Sequence, residues 1–481
     1  MSKKAKQRDV QLRGLPLNGR NAALRALLLT DQGHSAQRAL ALVLDVRGEQ
    51  PRQSSAKEMT VASQVVGLSF QDRALCTELV YGCLRTEIRL DFILFTVLPK
   101  PQSLPRPMLL ILAIAVYGLL FQDKVPAHAV IHEAVEQVRQ LFGQGLSRVA
   151  NGALRSLQRA GQEPLQESFY IPKDSGAKAR ATDAAEASFS AQCVFYSLPL
   201  WIGKLWQKAY GEEAFQALLR RSFERPYSAL RINAAHPRAR ELFDALALSV
   251  EAAAPPVKIG QWGLAFAPGQ LPREALGQDL RQWQGQGALS FQSAGSQMAL
   301  LELGLDAWRE PVWDACAGYG GKSMALMERG VPVGLCTDCS RARLRGLPAQ
   351  CATLGLAKPV LCLADATHPP VRRWNGHILV DAPCSGLGVL ARRPDIRRRE
   401  PQHLAELEVL QRAMLGKLGG MLQPGKELAY ITCTLNPAEN ELAVEYLLDK
   451  NKNLRLIRQW QTSHEHPWLE GMYGALLRNE G

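Results

Sequence analysis

The sequence predicts three folded parts along one chain: an all-helical domain, a small mixed α/β connector and a C-terminal α/β domain with a parallel sheet. Apolar residues recur at helical spacing over residues 33–160. After residue 285, apolar strand-like runs alternate with helical stretches, a pattern typical of a parallel sheet covered by helices on both faces. Between these patterns, one amphipathic helix precedes several short strand-like runs.

Composition and charge narrow the class of protein. The chain has 481 residues with 47% hydrophobic content, which is ordinary for a multidomain globular protein. Lysine and arginine number 57 against 45 acidic residues, and the net charge of +12 favours a polyanionic partner such as nucleic acid. The N-terminus lacks the apolar segment of a secretory signal, and the apolar run at 108–121 is shorter than the roughly 20 residues that cross a bilayer. We expect a cytoplasmic protein without membrane contact.

The predicted domain boundaries follow changes in composition. Residues 1–32 are predicted to form a basic tail, in which seven basic residues stand against two acidic ones. Residues 33–160 are predicted to be helical, and 161–192, rich in small and polar residues, to be a linker. Residues 193–285 are predicted to form the α/β connector and 286–481 the parallel-sheet domain.

Ten cysteines are scattered along the chain, which indicates reduced thiols where no secretory signal is present. Cys336 and Cys339 form a single C-x-x-C pair. Because no second pair and no H-x-x-x-H pattern follows, we expect buried thiols rather than a zinc or redox site, and no metal.

The first chemical signals stand at the ends of predicted strands, where open α/β sheets bind ligands. The turn "DACAGYGGKS" at 314–323 allows backbone to approach a ligand closely, but it lacks the G-x-G-x-x-G and phosphate-loop patterns. Asp338 and Asp365 close the next two strands. An acid at the first position commonly binds ribose hydroxyls, and an acid at the second could hold an adenine amino group. Each is equally compatible with an ordinary surface carboxylate.

A pair of cysteines is the second chemical signal. Cys384 follows Asp381 in "ILVDAPCSGLGV", and Cys433 ends the strand-like run "LAYITC". Carbon 5 of cytosine is a poor nucleophile, and an enzyme activates it by adding a thiolate to carbon 6; a base then removes the hydrogen at carbon 5 so that the thiolate leaves. This chemistry needs one activated thiolate and one nearby acid–base group. Two cysteines at strand ends suit it, although one alone is usually buried filler.

These motifs resemble, in order along the chain, those of the Sun (Fmu) family of small-subunit ribosomal RNA cytosine-C5 methyltransferases. The family's D-x-C-A-A-P-G-G-K-T motif corresponds to 314–323, its D-A-P-C-S-x-x-G motif to 381–388, and its T-C-S/T motif to 432–434 with Glu439 and Asn440 following. The segments "ELVYGCLR", "VPAHAVIHEAVE" and "ANGALRSL" are similar to the family's NusB-like helical domain. The resemblance covers residues 34–481 apart from the linker. It implies a Rossmann-like methyltransferase domain with a mostly parallel seven-stranded sheet.

By this resemblance the chain is an enzyme that uses S-adenosylmethionine to methylate RNA, and most specifically 16S ribosomal RNA at a cytosine of the position-967 type. Cys433 would be the nucleophile, Cys384 would help to remove the carbon-5 proton, and Asp381 would contact the cytosine ring or the cofactor. The residues implied in cofactor binding are Cys316, Ala317, Gly318, Tyr319, Gly320, Gly321, Lys322, Asp338, Asp365 and Asp381. We expect a monomer whose partner is RNA.

The sequence departs from the family pattern near the expected site. Gly318-Tyr319 stands where the family has Ala-Pro, so an aromatic ring replaces a rigid proline. Ser293 and Ser340 replace acids, and Lys426 stands at a usual glycine. None of these changes removes a thiol, and together they indicate a divergent member of the family.

A cluster of arginines follows the Cys384 motif, and we expect it to contact RNA phosphates without reading their sequence. Its members are Arg392, Arg393, Arg397, Arg398 and Arg399. A solvated run of charge is the alternative interpretation.

Three other functions compete with RNA cytosine methylation. Methylation of DNA cytosine also uses a Pro-Cys thiol, but the second thiol at 433 disfavours it. Methylation of an amino group would need a polar-Pro-Pro-aromatic loop where this chain has Asp-Ala-Pro-Cys. A non-catalytic RNA-binding factor is disfavoured because both thiols are retained, and a cofactor titration would distinguish it.

Overall fold

The computed structural model describes Leu12 and residues 15–44, 67–123, 125–171, 181–249 and 255–481, with side chains from residue 185 onward in the fourth range. By internal contacts the chain divides into two compact units. The first unit is residues 1–204 together with 393–398, and the second is residues 205–392 together with 399–481. Most of the predicted connector and of the predicted parallel-sheet domain thus belongs to the second unit, whereas residues 193–204 and 393–398 belong to the first.

The described residues of the first unit form helices joined by turns, as the apolar spacing predicts. The α-helices are α1 (Gly19–Asp31), α2 (Ala36–Leu44), α3 (Phe70–Arg85), α4 (Glu87–Val97), α5 (Arg106–Phe121), α6 (Ala127–Phe142), α7 (Gln144–Ala160) and α8 (Ala181–Phe195). Helix α5 contains the apolar run, and its Leu112 and Val116 are fully buried in the core of this unit. In the described ranges, no helix is both long and apolar enough to cross a membrane.

Much of the predicted basic tail is a core helix instead. The Asn18 side chain accepts a hydrogen bond from the Asn21 N–H and so caps the start of α1, in which Leu24 and Leu29 are fully buried. The prediction of a tail rested on the number of basic residues and did not take account of the apolar residues on one face of this helix. Residues 1–11 of the predicted tail lie outside the described part of the chain.

The predicted linker at 161–192 also contains ordered elements. Two short 3-10 helices, Glu163–Leu165 and Glu167–Tyr170, precede the start of α8. Tyr170 is 2% exposed, donates its hydroxyl to the Pro164 carbonyl at 2.7 Å, and accepts a hydrogen bond from Arg89 at 2.9 Å. An aromatic anchor in a mostly polar segment therefore fixes part of it to the helical core, whereas average composition indicated a linker.

In the connector region, α9 (Leu200–Phe223), which bends at Gly211, leads into a small antiparallel sheet. The sheet has the order β2–β3–β1–β6, with β1 (Ser228–Ile232), β2 (Val257–Ile259), β3 (Gly263–Phe266) and β6 (Leu289–Phe291). The other elements are α10 (Ala239–Ala247), α11 (Leu280–Gly285) and the short pair β4 (Glu274–Ala275) and β5 (Gln278–Asp279). This mixed α/β arrangement agrees with the strand-like runs seen in the sequence.

The C-terminal part contains a seven-stranded sheet with the order β12–β13–β11–β10–β7–β8–β9. The strands are β7 (Val312–Asp314), β8 (Val333–Asp338), β9 (Val360–Leu363), β10 (His377–Asp381), β11 (Glu427–Thr432), β12 (Leu454–Gln461) and β13 (Tyr473–Asn479). Its helices are α12 (Ala294–Glu302), α13 (Gly321–Met327), α14 (Arg341–Leu344), α15 (Leu347–Leu354), α16 (Gln402–Gly419) and α17 (Glu441–Lys450). Strand β13 is antiparallel to both of its neighbours, β11 and β12, and the other neighbouring strands are parallel to each other. This arrangement confirms the predicted Rossmann-like fold.

Successive residues of the central strands pack into two separate hydrophobic cores. Leu379 of β10 packs in one hydrophobic cluster, while its neighbours Ile378 and Val380 pack in the other. A sheet buried on both faces needs nearly continuous apolar strands, which is the pattern that the sequence shows. Strand β12 was not predicted, because five of its eight residues are exposed at the edge of the sheet and its apolar and polar residues do not alternate regularly.

Candidate active site

The three motifs converge because three parallel strands end side by side. Leu379 of β10 pairs with Asp314 of β7, and Asp381 of β10 pairs with Ile431 of β11. The Gly388 N–H donates to the Cys433 carbonyl at 3.1 Å. A Cβ at Gly388 would lie 1.8 Å from the backbone oxygen of Gly471, so only glycine permits the close approach of these two segments. The loop that carries Cys384 is thereby held against the end of β11.

The glycine-rich turn and the predicted acid at the end of β8 form one site. Gly318 and Gly320 have φ angles of +55° and +80°, in the left-handed region that favours glycine. The Gly318 N–H donates to the Asp338 carboxylate at 2.9 Å, and that carboxylate is 5% exposed. Tyr319 is 66% exposed, so its ring does not occupy the interior of the turn where the family has proline.

Lys322, the last residue of the predicted cofactor loop, forms an ion pair with Asp381 across the strand ends. The Lys322 Nζ lies 2.6 Å from an Asp381 carboxylate oxygen, and the lysine side chain is 8% exposed against 36% for the aspartate. Although burial disfavours the charged form, the Asp381 carboxylate raises the pKa of Lys322 above its usual value. The pair therefore stays charged, with one carboxylate oxygen accessible at the edge of the sheet.

The two predicted catalytic cysteines contact each other. The Sγ atoms of Cys384 and Cys433 are 3.3 Å apart, and the backbone N–H of Cys433 lies 3.3 Å from the sulfur of Cys384. Both residues are partly buried, and both are free thiols. The structure thus brings together two residues that are 49 positions apart in the sequence.

The surroundings distinguish the two thiols. The hydrogen bond from Cys384, assisted by the positive charge of Lys322, lowers the pKa of Cys433 against the effect of burial. The same hydrogen bond, together with burial, raises the pKa of Cys384 well above its usual value. These opposite shifts favour the thiolate at Cys433 and the thiol at Cys384. A thiolate is the reactive form of cysteine, so this asymmetry favours Cys433 over Cys384 as a nucleophile.

Asp365, a predicted cofactor-binding residue, is not joined to the glycine turn by a hydrogen bond. It follows β9 at the same edge of the sheet, but it is exposed, and its carboxylate accepts hydrogen bonds from the N–H and the hydroxyl of Thr367 at 2.8 Å each. These bonds lower the pKa of Asp365. Among the described residues it makes no hydrogen bond to the glycine turn.

Sequence reasoning assigned no role to two buried acids of the site. Asp314 accepts the Ser323 hydroxyl at 2.5 Å and the Cys316 N–H at 3.3 Å, and burial raises the pKa of Asp314 to about 7. Glu439, which is fully buried, accepts a hydrogen bond from the Ser385 N–H at 2.8 Å. In the sequence, each of these residues was visible only as an acid at a fixed place in its motif. The sequence did not indicate which groups each acid contacts.

Each member of the predicted arginine cluster has a partner within the protein, which the charge pattern did not indicate. In the second unit, Arg392 donates to Glu470 at 2.5 Å and to the Tyr227 carbonyl at 2.8 Å. Arg399 donates to the backbone oxygens of Cys384 at 3.1 Å and Ser385 at 2.6 Å. These contacts support the protein backbone around the site, where the charge pattern had indicated phosphate binding.

The other three arginines belong to the first unit. Arg393 pairs with Asp395 at 3.0 Å. Arg397 is 5% exposed and donates to the Ser197 carbonyl at 3.0 Å. Arg398 pairs with Glu87 at 2.6 Å and with Asp31 at 3.1 Å. Arg397 is thus buried and Arg398 doubly paired, which a run of charge in the sequence cannot reveal.

The described ranges contain no group of three or more His, Cys, Asp or Glu side chains placed to hold a metal ion. Of the C-x-x-C pair, Cys336 is buried and Cys339 is exposed. The Cys336 sulfur lies 3.5 Å from the Ser323 hydroxyl, beside the glycine turn.

Comparison with known proteins connects this geometry with one family. A model of the 16S rRNA methyltransferase RsmB/F family matches residues 302–470, and a model of the NusB family matches residues 20–159. The ribosomal RNA small subunit methyltransferase B of Vibrio cholerae is 32% identical over 491 residues, which cover 97% of this chain and 99% of that protein. A probable enzyme of the same name from Bacillus subtilis is 30% identical and covers 80% of this chain and 81% of its own length.

Two solved structures share the fold. The protein PH0851 superimposes with a TM-score of 0.68 and 18% identity, covering 97% of this chain and 99% of that chain. A methyltransferase homolog protein from Pyrococcus horikoshii gives a TM-score of 0.52 and 20% identity, covering 61% of this chain and 99% of that chain. At these identities the likeness extends to the fold alone.

Proposed function

The chain belongs to the RsmB/F family of 16S rRNA methyltransferases, and from that premise we propose that it methylates carbon 5 of a cytosine in small-subunit ribosomal RNA through a covalent bond to Cys433. Family membership makes it an S-adenosylmethionine-dependent RNA methyltransferase. The observation that carries the finer proposal is the 3.3 Å contact between the Cys384 and Cys433 sulfurs at neighbouring strand ends. Methylation of an amino group has no use for such a pair.

The residues at the strand ends fit S-adenosylmethionine, which supplies a methyl group on a positively charged sulfur. The glycine turn leaves open space at Gly318, where an added Cβ would meet only one atom within 4.0 Å. The carboxylate of Asp338 accepts the Gly318 N–H at 2.9 Å, so it lies beside the turn, where an acid can bind ribose hydroxyls of the cofactor. We assign binding of the cofactor to residues 316–322 with Asp338, and binding of its adenine to Asp365.

In the first chemical step, the Cys433 thiolate forms a bond to carbon 6 of the cytosine. The displaced π electrons make carbon 5 nucleophilic and increase the negative charge on the ring, which takes up a proton at N3. Solvent supplies that proton. The Cys384 S–H no longer has a thiolate to bond once the Cys433 sulfur is attached to carbon, and it releases its own proton to solvent. Cys384 thereby becomes a thiolate at the moment when a base is required.

In the last step, the Cys384 thiolate takes the proton from carbon 5 of the methylated ring. The electron pair of that C–H bond re-forms the double bond between carbons 5 and 6, and the sulfur–carbon bond breaks with Cys433 leaving as a thiolate. The proton on N3 passes to solvent. The net change is a methyl group in place of one hydrogen and the release of one proton.

Lys322 and Asp381 have supporting roles in this proposal. The Lys322 charge favours the thiolate of Cys433 before attack. The accessible oxygen of Asp381 can accept from the exocyclic amine of cytosine and so orient the ring. A base stacked in a helix cannot reach thiols at the edge of a sheet, so the target is a single-stranded, bulged or flipped cytosine.

Removing each thiol separately tests this proposal, because attack and release fail differently. Cys433→Ala cannot form the bond to carbon 6, so turnover and covalent complex should both be lost. Cys384→Ala can still attack but releases its product slowly, so it should accumulate a covalent complex with unmodified 16S rRNA transcript. The complex would appear as a slow band on a denaturing gel and disappear with RNase.

The opposite pattern, with RNA trapped by Cys433→Ala and not by Cys384→Ala, would reverse the two roles. Bisulfite sequencing of the transcript after reaction with the wild-type enzyme would identify the modified cytosine. Methylation of the rRNA at a position other than carbon 5 of cytosine would refute the reaction itself.

A further inference from the structure

A single buried carboxylate connects the two catalytic loops. Glu439 is 0% exposed and ends the 3-10 turn Pro437–Glu439 that follows β11. Its oxygens accept hydrogen bonds from the Ser385 N–H at 2.8 Å, from Gln411 at 3.0 Å and from Asn436 at 3.1 Å, as well as from the Ser385 hydroxyl. Among the described residues these donors are all neutral. Four neutral donors satisfy the oxygens of this buried side chain, and they tie the segments that supply them to Glu439.

Two hydroxyl residues near this carboxylate follow the thiols directly in the sequence. Ser385 is the residue after Cys384, and Thr434 is the residue after Cys433. The hydroxyls of Ser385 and Thr434 lie 2.6 Å apart, and the Thr434 hydroxyl lies 3.5 Å from the Glu439 carboxylate. Glu439 therefore holds the neighbour of each thiol, although it touches neither sulfur.

The carbonyl side of the Cys384 loop is held by positively polarised groups. Arg399 donates to the carbonyls of Cys384 at 3.1 Å and Ser385 at 2.6 Å. Gln411 donates to the Pro383 carbonyl at 2.9 Å and to Glu439 at 3.0 Å. Hydrogen bonds thus hold both the N–H side and the carbonyl side of the Cys384 loop. Because Glu439 is the acceptor for the N–H side, we expect the loop to shift when this acceptor is lost.

We propose that Glu439 is a positioning residue that fixes Cys384 relative to Cys433 and thereby controls the release of methylated RNA. The inference rests on the function proposed above, in which Cys384 removes the carbon-5 proton. Proton transfer requires close approach along a defined line, so a shift of about 1 Å in Cys384 can reduce the rate about a hundredfold. Attack by Cys433 depends less on Glu439, because Cys433 follows directly on the fully buried strand β11.

The test uses Glu439→Gln in the full-length enzyme with 16S rRNA transcript and S-adenosylmethionine. Glutamine keeps the shape but presents an amide N–H₂ to donors that need an acceptor, so the Cys384 loop should move. We expect turnover to fall about a hundredfold, a covalent protein–RNA complex to accumulate as in Cys384→Ala, and the affinity for S-adenosylmethionine to stay unchanged. Ser385→Ala, which loses only the hydroxyl contacts, should trap less RNA and lose about tenfold in turnover.

The matched control is Glu470→Gln. Glu470 is also a buried carboxylate that accepts a backbone N–H and an arginine, but it does not contact the Cys384 loop. This variant should lose stability without trapping RNA. The positioning role would be overturned if Cys384→Ala traps RNA but Glu439→Gln loses turnover without trapping it. If Glu439→Gln does not fold, the same comparison is made with Ser385→Ala. Absence of a trapped complex in Cys384→Ala itself would instead refute the underlying mechanism.

Discussion

At the scale of residues, burial determines which charges are present at the site. Lys322 remains charged because Asp381 pairs with it, and the Cys433 thiolate is favoured by a donor 3.3 Å away. Asp314, only 1% exposed, has no cation in direct contact among the described residues, and its main partner is the neutral Ser323 hydroxyl. A carboxyl group in such surroundings favours its protonated form.

The raised pKa of Asp314 predicts a pH dependence of stability. Its pKa is about 7 in the folded protein against the ordinary value of 3.8, so the folded state holds a proton that the unfolded state has lost between these pH values. Stability from this group is therefore present below about pH 4 and is lost as the pH rises toward 7. Asp314→Asn removes the ionisation, and its stability relative to wild type should rise by about 2–3 kcal/mol between pH 5 and pH 8.

Urea denaturation of Asp314→Asn and wild type at both pH values measures this difference. Asp449→Asn, in which an exposed carboxylate is changed, serves as the control and should show no such trend. An equal difference between wild type and Asp314→Asn at both pH values would mean that Asp314 is ionised throughout.

At the scale of elements, the short helix α13 depends on the connector sheet for its position. Arg231 of β1 pairs with Glu328, the C-cap of α13, at 2.5 and 2.8 Å, and both side chains are at most 3% exposed. Arg231 also donates to the carbonyl of Gly321, the first residue of α13, at 3.2 Å. One guanidinium thus contacts both ends of the helix that follows the glycine turn.

This arrangement predicts that stability and cofactor binding can be separated. Arg231→Met leaves Glu328 buried without a cation and should lower the free energy of unfolding by about 3–5 kcal/mol. The double variant Arg231→Met with Glu328→Leu should recover most of that loss, because an apolar pair replaces the ion pair. It should still bind S-adenosylmethionine more weakly than wild type, since the contact with Gly321 is gone.

Denaturation and calorimetric titration with S-adenosylmethionine measure the two effects. The exposed pair of Arg240 and Asp244 provides the control, and its removal should change stability by less than about 1 kcal/mol. Wild-type cofactor affinity in the double variant would show that Arg231 does not shape the turn.

At the scale of the whole molecule, the excess of positive charge is divided between buried pairs and open surface. Arg397 and Arg398 are used inside the first unit, whereas helix α7 carries exposed arginines along its outer side. Arg148, Arg155 and Arg159 are all exposed there. Their spacing of seven and four residues places them on one face of the helix. The exposed arginines are therefore further candidates for phosphate contacts beside the 392–399 cluster.

Salt dependence of RNA binding distinguishes these two groups. Replacing Arg148, Arg155 and Arg159 with glutamine should weaken binding of 16S rRNA transcript and flatten the plot of log affinity against log salt. For phosphates of a duplex, the slope should change by up to about 0.9 for each contact that is lost. Arg398→Gln should leave the slope unchanged and lower thermal stability, because it breaks pairs with Glu87 and Asp31. An unchanged slope in the α7 variant would assign its arginines to solvent.

The sequence alone determined the order of the domains, the parallel sheet and the positions of the motifs. These features follow from local patterns: a helix or strand buried on one or both faces repeats its apolar residues at a fixed spacing, and a reactive group at a strand end is marked by the glycines around it. The two thiols and the acid at Asp338 were therefore identified correctly as neighbours of the same sheet edge.

The tertiary structure alone decided which charges face solvent and which side chains hold the reactive groups. Arg398 and Glu87 pair across 311 positions of sequence, and Ser385 and Glu439 across 54. No local pattern records such partners, because a guanidinium or carboxylate looks the same in a sequence whether it is solvated or buried. The energy of a charge depends on the groups within a few ångströms of it, and folding brings those groups from distant parts of the chain.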